Sequence, residues 1–163
     1  MKNLQLFAIG VFATIFASCN IMTKIDPIAY NDSIISEQAI VIKYVDDVLS
    51  NDVADSLEVW RVTGVACIEN SLGKIDKLGD FKGDNSFRES ATNLVNFYKG
   101  YMNKDFKEMI TLLKKDTAAT EEDNARIEEI ISNFNNDQDP VYNKFVATQK
   151  EFALKNNFTI SNK

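Results

Sequence analysis

Residues 26–49, DPIAYNDSIISEQAIVIKYVDDVL, decide the fold. Ile28, Ile35, Ile42 and Leu49 fall seven apart, and Ile34, Val41 and Val48 form a second column beside them. Seven residues are two helical turns, so both columns run along one side of a rod. The pattern predicts an amphipathic helix whose broad apolar face is buried against several neighbours. Asp26 is placed to accept from free first-turn amides, and Pro27 fits the first turn, where its missing N–H is no loss.

The same periodicity continues outward. Ser50-Asn51-Asp52 is a short break, which forces the next helix to run antiparallel. Val53, Leu57, Trp60, Gly64, Ile68, Leu72 and Ile75 recur at three or four, predicting a second helix. Gly79 to Asn85 reads as a loop, and Ser86-Phe87-Arg88-Glu89 as a capping box. A single third helix is expected from Phe87 to Leu113, ending at Lys114-Lys115, positive charge at the negative end of the helix dipole. Its aromatic patch Phe97, Tyr98, Tyr101, Met102 and Phe106 has core spacing, and Gly100 is expected to admit a neighbouring helix closely. Thr120 caps the last helix, with Glu121-Glu122-Asp123 in its first turn and Glu122 placed to pair with Arg126. Ile127, Ile131, Phe134, Gln138, Val141, Phe145 and Phe152 keep one register there. Pro140 must kink that helix or restart it with Asp139 as cap. Phe158 and Ile160 are expected to fold over the bundle end. No strand-like alternation competes, so the expected class is all-α, an up-down-up-down four-helix bundle over residues 27–163.

Upstream, Lys2 precedes an apolar run from Leu4 to Ala17 that is too short to span a bilayer, which needs about 20 residues. A basic start, a short apolar core and small residues at the end describe a signal peptide over residues 1–18. Its end, Phe16-Ala17-Ser18-Cys19, resembles the lipobox of bacterial lipoproteins, with Phe16 in place of the commoner Leu. The resemblance implies acylation of Cys19 and cleavage before it, leaving residues 19–26 as a lipidated tether. Each buried CH₂ contributes about 0.8 kcal/mol, so several acyl chains on Cys19 would hold the protein to a membrane. With Cys19 acylated, Cys67 has no partner for a disulfide, and its place beside Gly64 and Ile68 makes it a core thiol.

The chain has 163 residues, 18 basic and 24 acidic, and no histidine. The missing imidazole excludes Ser-His-Asp and Cys-His nucleophilic catalysis and any His-bound metal. An acidic chain whose largest basic cluster is two lysines at a helix end is not built for nucleic acid. Asp137-Gln138-Asp139 begins like a calcium loop but lacks the required glycine and closing glutamate, and Asp80 and Asp84 read as turn residues. No metal, cofactor or catalytic residue is therefore expected. The polar exceptions on the apolar face of the first helix are Asn31 and Gln38, two turns apart among Ile34, Ile35, Val41 and Ile42. Such amides either fix helix register or orient a ligand.

Tyr30-Asn31-Asp32 with Glu37-Gln38, then Gly83-Asp84, Asn96-Phe97-Tyr98-Lys99 and Lys155-Asn156-Asn157-Phe158 resemble a family of bacterial surface lipoproteins first named from a leptospiral member and also found in marine Bacteroidota. The resemblance covers most of the chain after Cys19. It implies a lipid-anchored, all-helical envelope protein, and it brings no catalytic residues. The expected function is thus a non-enzymatic lipoprotein of the cell envelope, at the outer membrane. It would be held by acyl chains on Cys19 and present a helical surface to another envelope protein, a basic one given the acidic body. The alternative is a carrier that holds a small apolar ligand between its helices.

Overall fold

A computed structural model describes residues 26–50 and 53–160. The leader 1–18, Cys19 and the tether up to residue 25 lie outside the described residues, as do Asn51 and Asp52 of the first connection and residues 161–163. The chain forms α1 (Pro27–Leu49), α2 (Ala54–Lys77), α3 (Ser86–Asn103), α4 (Asp105–Leu113) and α5 (Glu121–Lys155), with one 3₁₀ turn at Asp116–Ala118. No strand occurs among the described residues; Phe81 and Asp84 make a single isolated bridge. The architecture is an all-α, up-down-up-down four-helix bundle in which α3 and α4 together form the third limb.

Local chemistry starts the helices largely where the residues predict. The Asp26 carboxylate accepts from the Ala29 amide at 3.1 Å, and Pro27 opens α1. At α5, Thr120 and Asp123 form a reciprocal capping box: the Thr120 hydroxyl takes the Asp123 amide at 3.2 Å, and the Asp123 carboxylate takes the Thr120 amide at 2.9 Å. The start of α3 differs from expectation. Ser86 and Glu89 do not form the box, because Asp84 already accepts from the Ser86 amide at 3.0 Å and from its hydroxyl, while Asn85 donates to Glu89.

The third limb is also not one helix. Lys104 adopts φ −116°, ψ −75°, which breaks the ladder between α3 and α4. The broken turn frees the Met102 carbonyl, and Nη1 of the buried Arg61 of α2 donates to it at 3.1 Å while Nε and Nη2 donate to Glu58 at 2.8 and 2.7 Å. An ion-paired guanidinium therefore caps a helix end inside the bundle. α5 is continuous through Pro140, so the helix does not restart with Asp139 as cap.

The core is built from one face of each helix: Ile34, Val41 and Val48 of α1; Leu57, Ile68 and Ile75 of α2; Leu94, Tyr98 and Met102 of α3; Phe106 and Ile110 of α4; Ile130, Phe134, Phe145 and Phe152 of α5. On α5 Ile130 faces inward and Ile131 is exposed, a shift of one residue from the expected register. Phe134 is the hub of the expected aromatic patch, with Tyr101 and Phe106 rings at 5.1 Å and Phe97 at 5.8 Å. At the opposite pole Tyr30, Phe81 and Phe152 meet within 5.5 Å of one another, and Phe158 stacks its edge on Phe152 at 5.9 Å. The close helix approach expected at Gly100 occurs at Gly64 instead. A Cβ on Gly64 would stand 2.5 Å from the Met102 Cε and 3.0 Å from the Tyr44 Cβ, whereas Gly100 has open space beside it.

Candidate functional site

The apolar face of α1 is wider than its neighbours cover. Ile34, Val41 and Val48 are sealed, but Ile35, Ile42 and Leu49 are only partly buried, and Ile28 is 48% exposed. The expectation that both columns are buried therefore holds for one column only. The cause is the placement of α5, which packs mainly on α3 and approaches α1 at few points, Tyr30–Phe152 and Asn31–Gln149 among them. A groove of about 760 Å³ remains between them, walled by Ile28 and Ile35 of α1 and by Phe145 and Val146 of α5, with Phe158 and Ile160 of the C-terminal segment along its end.

Asn31 and Gln38 both line this groove, so the structure brings the two expected residues to one site. Their circumstances differ. Asn31 is spent on structure: its Oδ1 accepts from Gln149 Nε2 of α5 at 2.9 Å, and its Nδ2 donates to Asp32 at 3.0 Å. Gln38 is only 7% exposed and has no hydrogen bond to any described residue. Among buried side-chain polar atoms the one without a partner is Arg88 Nε, so the Gln38 amide keeps contact with the groove rather than being sealed in the core. Gln149 completes the site and was not anticipated. Its position four residues after Phe145, in step with the α5 core stripe, is the signal that would have found it.

The groove is electrostatically simple. Among the described residues Asp32, on its rim, is the one charged side chain lining it. The remaining acidic candidates serve the bundle. Asp80 accepts from Arg88 at 2.8 Å. Asp84 is held down to about 2 by its hydrogen bonds from Ser86, aided by Lys155 at 3.0 Å. Asp137 accepts the Tyr101 hydroxyl at 2.7 Å, and burial together with that carboxylate pushes the Tyr101 phenol upward. Gln138 donates to the Tyr98 hydroxyl at 3.3 Å, and burial raises the Tyr98 phenol to about 12. Asp137-Gln138-Asp139 thus lies within α5, with two of its members bonded to α3. Arg126 binds Glu108 through two bonds of 2.8 and 2.9 Å and Glu129 at 2.9 Å, rather than the expected Glu122, because α4 brings Glu108 alongside. Among the described residues no group of three or more Cys, Asp or Glu side chains is arranged to hold a metal ion.

Cys67 is half-buried beside α1 rather than sealed in the core. A second depression of about 520 Å³ between α3 and α5 is lined by Ser90, Thr148, Glu89 and Lys144, among others. The Ser90 and Thr148 hydroxyls are engaged with carbonyls of their own helices at 2.9 and 2.7 Å. No described helix is long and apolar enough to cross a membrane. The lipobox residues Phe16, Ala17 and Ser18 and the lipidation candidate Cys19 lie outside the described residues. Comparison with family models, with curated proteins and with solved structures finds no match to the chain.

Proposed function

We propose that this chain is a lipid-anchored lipoprotein of the bacterial cell envelope, without catalytic activity, whose helical bundle presents an interaction surface to another macromolecule. The observation that carries the reading is Phe16-Ala17-Ser18-Cys19 at the end of a short apolar leader, with a capped helix beginning shortly after it at Asp26. The acyl chains on Cys19 hold the bundle at the membrane, the outer one in this reading. The resemblance carried by Tyr30-Asn31-Asp32, Asn96-Phe97-Tyr98-Lys99 and Lys155-Asn156-Asn157-Phe158 points the same way.

Two features of the bundle support an interaction module over an enzyme or a carrier. Glu58, Glu108, Asp84 and Asp123 are each held below the usual carboxylate range, by Arg61, Arg126, Ser86 and Lys115 respectively, the wrong direction for a general acid near neutral pH. The space between the helices is filled ring against ring around Phe134, which favours the surface, and among its depressions the groove between α1 and α5, as the place where a partner is met.

The test is expression of the full chain in a bacterial host fed an alkyne analogue of palmitate, followed by intact-mass measurement of the membrane fraction. Labelled protein that begins at Cys19, with label and membrane association lost in Cys19→Ala, is the expected result. Native protein that retains Met1 and carries no label overturns the proposal.

A further inference from the structure

We infer that the groove between α1 and α5 is a peptide-binding site, taking an extended, apolar segment of a partner protein through the Gln38 amide, with a basic residue of that segment at Asp32. The inference rests on the reading of the bundle as an interaction module and names the partner's chemistry.

Gln38 is the anchor of the argument. It lies more than nine-tenths buried on the apolar face of α1, yet no described residue bonds to it. The side chain is largely covered, yet its amide is not sealed and opens onto the groove, where it is free to bond whatever occupies that space. An amide carries a donor and an acceptor side by side, and that pair matches one peptide unit, which offers a carbonyl and an N–H. Asn31, by contrast, is already engaged with Gln149, and this clasp holds α1 and α5 at a fixed separation. The groove is therefore preformed, with one polar contact left open.

The walls select the rest of the ligand. Ile35 and Val146, partly buried on the same groove as Gln38, offer apolar surface to a side chain near the bonded peptide unit. Among the described residues the lining contains no cation, so they offer a fatty acid carboxylate or a phosphate headgroup no counter-charge. The one charge among its described residues is the carboxylate of Asp32, in a chain of formal net charge −6. Asp32 lies six residues before Gln38 on α1, about 9 Å along the axis at ~1.5 Å per residue. An extended chain rises about 3.3 Å per residue, so the basic side chain belongs roughly three positions from the bonded peptide unit. The groove volume of about 760 Å³ lies within the range of about 300–1,000 Å³ typical of ligand sites.

The experiment pans a phage-displayed library of random peptides on the full chain in detergent micelles. The enriched peptides are then measured by fluorescence anisotropy against the unaltered protein, Gln38→Met, Asp32→Asn and the remote control Thr111→Ala. The expected result is a family of sequences pairing an apolar residue with Lys or Arg about three positions away. Their affinity falls about tenfold in Gln38→Met, falls and becomes less salt-sensitive in Asp32→Asn, and is unchanged in Thr111→Ala. Asp32 is on the exposed rim, so that variant keeps the test decisive even if a substitution at Gln38 disturbs the fold. Failure to enrich any peptide, enrichment of acidic peptides, affinities untouched by both groove variants, or displacement of the peptide by hexadecanoate would each overturn the inference. These readouts are independent of Cys19: a groove that binds no peptide leaves the anchor standing, and a missing anchor leaves the groove measurement intact.

Discussion

The Asn31–Gln149 clasp and the open Gln38 allow the same substitution to be made at two glutamines of nearly equal burial with opposite expectations. Gln149 is 9% exposed and donates to Asn31 Oδ1 at 2.9 Å; Gln38 is 7% exposed and donates to no described residue. Methionine has nearly the shape and helix propensity of glutamine, so replacing either one changes hydrogen bonding and little else. Gln149→Met removes the donor and leaves the Asn31 carbonyl oxygen short of a partner inside the protein. The loss is about 1–3 kcal/mol, or a fall in Tm of about 3–12 °C at roughly 3–4 °C per kcal/mol. Gln38→Met strands no partner and exposes no new polar group, so stability should stay within about 0.5 kcal/mol of the parent. Urea unfolding followed by circular dichroism, with equal m-values, measures both. A cycle adding Asn31→Ala to Gln149→Met should return a coupling of about 1 kcal/mol. Equal losses at the two glutamines, or no coupling in the cycle, would refute the assignment of Gln149 as clasp and Gln38 as free contact.

The other predictions address the core and its titrating groups. Phe134→Ala removes the ring that Phe97, Tyr101 and Phe106 pack against and should cost about 3–5 kcal/mol in urea unfolding. Gly64→Ala and Gly100→Ala should move Tm in opposite directions. The first drives a methyl group into Met102 and Tyr44, an overpacking cost of about 1–3 kcal/mol, and the second gains about 0.5–1 kcal/mol of helix stability in open space. Burial raises the Tyr98 phenol from its usual 10 to about 12, so the fold favours the neutral form. Stability should be complete below pH 10 and decline as pH rises from 10 toward 12, and Tyr98→Phe should flatten that decline in an alkaline melting series. Asp84 has the opposite sign: Ser86 holds it down to about 2, so its contribution is present above pH 4 and lost as pH falls from 4 toward 2. Asp84→Asn should reduce the acid sensitivity in that window, by a small amount because the carboxylate is more than a third exposed.

The helices were legible because their apolar residues recur with helical period and their ends carry capping chemistry, as Asp26-Pro27 and Thr120 show. The break at Lys104 was not, because no proline or glycine marks it: the apolar spacing from Phe97 through Phe106 to Leu113 continues across it. It is supported from a distance, by Arg61 on another helix reaching the Met102 carbonyl, and such a partner is invisible to local pattern. The same reason explains Arg126, whose expected i−4 partner Glu122 loses to Glu108 of α4. Asn31 and Gln38 stood out as polar residues on an apolar face, but sequence alone could not separate them. That distinction depends on Gln149, 118 residues away, standing opposite one amide and not the other.

The ring cluster of Tyr30, Phe81 and Phe152 has a mechanical meaning. It joins the first turns of the first helix to the last turns of the final one, with the loop after α2 wedged between, and the Tyr30 hydroxyl is latched to the Gly79 carbonyl at 2.7 Å. Tension entering the bundle at Asp26 is thus shared at once among three separate limbs, so α1 cannot peel away before α5 and the α2 loop also yield. The bundle should rupture as one unit under load rather than unravel helix by helix from its pulled end.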